Sequence, residues 1–264
     1  MEFLRVVKRR SLFSELIYIL LNVGLAIAIL LVVWAVESPL PAFALVILSK
    51  WRILAVRPRY WFAHVQSNMV DLIVSLGLVV ILSSIGKAMG ENGIFIQIGL
   101  TLAYIAWLLI LKPRTKRSYV VAQAGVAQGV GVTALFMSSY EWPAVVVVLL
   151  MWLIGYTTAR HVVSAYSEEQ VTFLGLAWGF VVAQIGWLAY HWTIAYRLPG
   201  IDGVLLPQVA LIIVALGFLA ERFYSSYAKH GVVRIADVIM PSLLSISVLT
   251  ILLLLFNSVS IGAA

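Results

Sequence analysis

From Leu12 onward, long apolar runs alternate with short polar breaks. The apolar positions are continuous within each run, which predicts membrane helices and argues against the alternating strands of a barrel. With about 20 residues needed per bilayer crossing, the pattern predicts about nine helices. The first covers about 12–36, and Pro39 and Pro41 open a second over about 39–56. Lys50 and Arg52 near the end of that second run shorten its purely apolar part. The remaining helices are expected at about 67–86, 93–111, 118–138, 142–158, 169–192, 203–221 and 235–257. The predicted fold class is therefore all-α, a polytopic integral membrane helix bundle forming one transmembrane domain over residues 1–264.

Basic residues give the expected orientation. Sixteen of the eighteen Lys and Arg fall in segments on one side of this nine-helix pattern, leaving only Lys87 and Arg197 on the other. Positive residues are retained on the cytoplasmic side, so the N-terminus is expected inside and the C-terminus outside, in a bacterial-type cytoplasmic membrane. The opening MEFLRVVKRR is like a signal peptide's basic region, but the run at 12–36 is too long for its apolar part. An uncleaved first helix is expected.

Composition agrees. The 264 residues are 63% hydrophobic and 11% charged, where a soluble domain has about a quarter charged residues. The net charge of +7 is spread through short clusters between apolar runs, so the excess reads as topology and no nucleic-acid partner is expected. The absence of Cys removes disulfides, thiol catalysis and thiolate metal sites. His64, His161, His191 and His230 have no ligand spacing, so neither a metal nor another cofactor is expected.

Glu15, Asp71, Glu168, Glu169 and Asp237 all fall near expected helix N-termini, where the helix dipole favours negative charge. Ser167 with Gln170, and Asn68 with Asp71, have capping-box spacing. Gly125 and Gly129, and Gly175 and Gly179, have the small-xxx-small spacing of close helix packing. Gln123, Gln128 and Gln184 on the same helices are expected to bond between helices, and the wall of a pore is the alternative role for the glycine faces.

The densest polar stretch is Lys50–Asp71, KWRILAVRPRYWFAHVQSNMVD. Arg57, Arg59, His64 and Asp71 are its candidate binding residues, for a phosphate or anionic headgroup at the inner leaflet. Arg suits phosphate through its fixed fork of donors, and Asp71 is expected to hold one Arg in place. Lys50–Pro58 fits K-x6-R-P, which resembles the first motif of the type 2 phosphatidic acid phosphatase family. The P-S-G-H and S-R-x5-H elements that would follow are absent, leaving a phospho-histidine mechanism without its nucleophile. His64-x3-Asn68 and Glu168-Glu169 resemble pieces of the CAAX-protease-like family, but position 173 is Phe where that family places Arg, and the motif order differs. No catalytic residue is assigned. The leading expectation is a permease-like or lipid-handling protein with membrane lipids as partners. The alternatives are a non-catalytic packing subunit, joined to a membrane partner or to a second copy of itself, and a lipid-modifying enzyme.

Overall fold

The computed structural model describes residues 12–36, 38–51, 55, 57–192, 195–197 and 205–255. Among these the chain forms nine α-helices: α1 (Leu12–Ala35), α2 (Leu40–Ser49), α3 (Trp61–Met89), α4 (Ile94–Ala106), α5 (Arg117–Ser138), α6 (Ala144–Ser164), α7 (Val171–His191), α8 (Gln208–His230) and α9 (Ile235–Leu255). Two three-residue strands, β1 (Ala195–Arg197) and β2 (Leu205–Pro207), pair antiparallel between α7 and α8. Seven helical stretches are long and apolar enough to cross a membrane. The chain is a multi-pass membrane helix bundle. The reason is the solvent: lipid offers no hydrogen bonds, so each backbone must satisfy itself within its own helix.

One of the seven stretches, Val65–Leu111, is a hairpin. Gly90 ends α3 at φ +57°, a backbone shape that glycine adopts at no steric cost. A 3-10 turn over Gly90–Gly93 then reverses the chain. Gln97 on α4 donates to the Leu82 carbonyl on α3 at 2.8 Å, and Tyr104 reaches Ser75 at 2.9 Å, so the two helices run antiparallel.

The helix boundaries depart from the sequence pattern in three informative places. α3 begins at Trp61 and not near 67, so Asn68 and Asp71 lie inside the helix and form no capping box. α2 stops at Ser49, leaving ten residues, or about 15 Å of helix. α8 continues to His230, where Gly231 in the left-handed conformation (φ +71°) closes it. Ser167 does not cap α7 either; the Glu168 carboxylate accepts the Glu169 and Gln170 N–H groups instead.

Two apolar cores hold the bundle. One joins α1–α4 around Ile29, Val46, Leu82 and Leu108; the other joins α5–α8 around Phe136, Met151, Val182 and Ile213. Glycine sets the closest approaches. A Cβ on Gly186 would lie 2.6 Å from Met151, and one on Gly179 would lie 3.1 Å from the Trp152 carbonyl oxygen, so α6 and α7 pack almost backbone to backbone. A Cβ on Gly175 would lie 3.2 Å from the Tyr156 ring, and one on Gly129 would lie 3.4 Å from Val214 of α8. Gly125 has nothing within 4 Å and so is no packing contact. Gly77, Gly155 and Gly131 leave less room for a Cβ than any of the four glycines singled out from the sequence spacing.

Candidate ligand-binding site

Asp71 is buried where α2 and α4 end. Lys50 and Lys112 both pair with its Oδ2, the second at 2.8 Å, and Trp107 Nε1 lies 3.4 Å from Oδ1. A π-helical turn over Trp107–Leu111 makes this possible, closing with the Lys112 N–H on the Trp107 carbonyl at 2.8 Å. That turn brings residues five apart onto one side of the helix, so Trp107 and Lys112 converge on one carboxylate. Behind them, Ser75 donates to the Asp71 carbonyl at 2.7 Å and accepts from Tyr104.

The carboxylate is thus saturated by two Lys, where the sequence reading paired it with an Arg. Arg57 and Arg59 are exposed, and Arg59 stacks over Tyr60 at 4.6 Å. His64 lies on α3, with its side chain outside the described residues. Among the described residues, the ion-pair partners of Asp71 are Lys50 and Lys112 and not Arg57 or Arg59. Lys50 and Lys112 take the place of the arginines because they lie at the ends of helices packed against α3.

The polar network continues across the same end of the bundle. Gln123 donates to the carbonyls of Leu111 and Arg114, at 2.7 and 2.9 Å, satisfying helix-end oxygens. Its own oxygen meets His161 Nε2 at 2.8 Å. Gln128 donates to Thr158 at 3.0 Å, joining α5 to α6 as expected, whereas Gln184 is exposed.

Beyond this network lies a cavity of about 350 Å³ among α5, α6, α7 and α8. Its walls are almost wholly apolar, and Gly125, which no side chain fills, is one of them. Along α8 it runs from Val214 to Tyr224, ten residues or about 15 Å. Gln128 and Thr158 mark its polar spot deep in the bundle; Glu221 and Tyr224 mark the other end. Ala122 is exposed, and Trp178 and Phe218 are half-buried, so the cavity communicates with the surroundings of the bundle.

The polar end is organised by the turn between α6 and α7. Tyr166 donates to Glu221 Oε1 at 2.7 Å, its ring packs edge-on to Tyr224 at 5.0 Å, and Arg117 lies over its face at 4.1 Å. Burial, and the Glu221 carboxylate that it faces, push the Tyr166 phenol above its ordinary value, so it remains a donor. Tyr224 in turn donates to Glu168, and that bond, with the Gln170 and Glu169 N–H groups, holds the Glu168 carboxyl below its ordinary value. Glu221 was not singled out from the sequence, because the eighth helix was ended there. The spacing Val214, Gly217, Phe218, Glu221, Tyr224 (i, i+3, i+4, i+7, i+10) is the signal that marks it as one helix face.

No protein-family model matches the chain, and no curated protein and no solved structure matches it.

Proposed function

We propose that the chain is a permease-like or lipid-handling membrane protein whose ligand occupies the cavity among α5–α8. The observation that carries this reading is the cavity itself, about 350 Å³ with apolar walls and polar groups at Gln128, Thr158 and Glu221. Ligand pockets run from about 300 to 1,000 Å³ and combine apolar walls with a few polar groups. A subunit that only packs gains nothing from such a void, since unfilled space forfeits dispersion contacts. The reading also favours binding over lipid modification, because the P-S-G-H and S-R-x5-H elements of a phospho-histidine mechanism are absent from the sequence.

In this reading the bundle crosses a bacterial-type cytoplasmic membrane with its N-terminus inside, and α1–α9 account for the nine crossings, α2 being abbreviated. The Glu221 end of the cavity and the Asp71 cluster then lie toward the inner leaflet. Arg57 and Arg59, exposed at that end, draw anionic headgroups by general attraction, about 1 kcal/mol per basic residue.

The test is photolabelling in nonionic detergent with a single-chain lipid analogue bearing a diazirine in its chain. Label is expected to concentrate on peptides containing Trp178 and Phe218, and Gly125→Leu, which adds side-chain volume at a cavity-lining position whose Cβ would meet nothing within 4 Å, is expected to suppress it. Label spread evenly over the exposed faces of α1 and α9, and unchanged by Gly125→Leu, would refute the reading and return the packing subunit to first place.

A further inference from the structure

Glu221 is the one carboxylate on the cavity wall among the described residues, and its side chain is only 9% exposed. One oxygen accepts from Tyr166; the other, Oε2, is buried and has no hydrogen-bond partner. Leaving a buried carboxylate oxygen without a donor is costly, so its surroundings must offer it a cation by some other means. They do so loosely. Arg222 Nε lies 3.5 Å from Oε2, close enough for ion pairing yet without hydrogen-bond geometry, and this guanidinium also sits 5.1 Å over the Phe218 ring. The Arg222 side chain is 47% exposed. The neighbouring cation, Arg117, is turned onto the Tyr166 face. Phe218, Trp178 and Tyr224 line the cavity beside the carboxylate.

A carboxylate that shares a cavity wall with aromatic rings is the chemistry that recognises an ammonium group, charge beside ring quadrupoles. An apolar channel of about 10 Å, from Glu221 back to Val214, suits one alkyl chain whose end reaches the opening of the cavity. We infer that the cavity takes a single-chain amphiphile with a cationic amine head, the ammonium binding Glu221 Oε2 and the aromatic wall, and the tail lying along Val214, Gly217 and Gly125. Arg222 is the resident counter-cation, half in solvent and poorly bonded, and the ligand's ammonium displaces it. This rests on the reading of the cavity as a ligand site.

The experiment measures competition against the same diazirine probe, carrying a primary amine head, by four compounds of matched chain length: dodecylammonium, dodecanol, dodecanoate and lysophosphatidylethanolamine. Dodecylammonium is expected to compete about tenfold better than dodecanol, the ratio that corresponds to one charge-assisted contact of about 1.4 kcal/mol. Dodecanoate is expected to compete worst. Glu221→Gln should erase the preference for the amine while leaving dodecanol competition intact, which also shows that the variant is folded. Arg222→Gln should tighten dodecylammonium binding, because its competitor is gone; a merely structural ion pair predicts the opposite or no change. Stronger competition by the lysophospholipid than by the simple amine assigns the head to a lipid, and the reverse order assigns it to a free amine. Equal competition by dodecylammonium and dodecanol, unaffected by Glu221→Gln, overturns the inference yet leaves the cavity reading standing. Labelling that ignores Gly125→Leu overturns both.

Discussion

Replacing Asp71 by Asn tests what the buried ion cluster does. The substitution keeps the size of the side chain and the Trp107 contact, and removes the one negative charge that holds Lys50 and Lys112 together among the described residues. Lys50 is 11% exposed at its side chain and Lys112 33%. Breaking a buried ion pair by deleting one partner costs about 3–5 kcal/mol, because the remaining charge is left uncompensated. Lys112 relaxes toward the headgroups along its flexible stem, so the lower end, about 3 kcal/mol, is expected. For a chain of this size that is a fall of about 6–12 °C in thermal midpoint, at about 2–4 °C per kcal/mol. Lys112→Met should cost far less, since Asp71 keeps Lys50. The decisive variant is the double substitution Asp71→Asn with Lys50→Met, which removes the most buried stranded charge and should recover part of the loss. The assay is thermal unfolding of the parent, Asp71→Asn, Lys50→Met and their double variant in one detergent, read as a double-mutant cycle, with Lys112→Met measured alongside. A midpoint for Asp71→Asn within about 1 °C of the parent, or simple additivity in the double variant, would refute the account of Asp71 as the centre of the cluster.

Three further outcomes are expected. Gly186→Leu, whose Cβ meets Met151 at 2.6 Å, should destabilise the bundle by about 1–3 kcal/mol or more in the same assay, whereas Gly125→Leu and the lipid-facing control Leu254→Ile should stay near the parent; equal loss at Gly125 would show that the open space there is not real. The chain has no Cys, so single cysteines report topology directly: Cys at Gly262 should react with an impermeant maleimide from outside and Cys at Thr115 should not, and the reverse pattern would invert the orientation. Glu168 has a carboxyl held below its ordinary value by Tyr224 and the Gln170 and Glu169 N–H groups, so its contact is intact above the ordinary Glu value of about 4.3 and is lost as pH falls through the lower folded value; proteolysis of the turn between α6 and α7 should rise in that acid range, and Glu168→Gln should remove the rise.

Most of the helices were legible because lipid imposes one rule on every segment. Continuous apolar runs placed α1, α5, α7 and α9 within about two residues of the observed ends. Boundaries failed where polar residues lie inside helices. The start of α3, WFAHVQ, reads as a loop because it follows the RPR break and holds His64 and Gln66, yet it is helical and sets Asp71 ten residues inward. ERFYSSYAKH looked like a loop after α8 for the same reason, and it is the helix end that bears Glu221 and Tyr224. Partners were less legible than positions. Proximity in sequence pointed Asp71 to Arg57 and Arg59, but packing chose Lys50 from α2's end and Lys112 from beyond α4's end. No periodicity announces the π turn that aims Trp107 and Lys112 together. Glycine spacing pointed equally to Gly175 and Gly179, where a Cβ would crowd α6, and to Gly125, where it would meet nothing within 4 Å, because spacing cannot reveal whether a neighbour fills the gap.

The two buried carboxylates separate stability from binding within one bundle. Asp71 has more cations than it needs: two ammonium groups and an indole N–H surround it, and it does not line the cavity among α5–α8. Any ligand reaching it would have to displace a bonded Lys, and would leave two like charges in a buried site. Glu221 has fewer donors than it can accept. Its one hydrogen bond, from Tyr166, fixes the direction of the carboxyl group, and Oε2 is left to a cation that is half in solvent. Exchange at Glu221 costs little, because Arg222 regains water when it leaves. Exchange at Asp71 costs the full penalty of stranding buried charge. Substitution of Asp71 should therefore appear first in the thermal midpoint, and substitution of Glu221 first in the choice between charged and neutral amphiphiles.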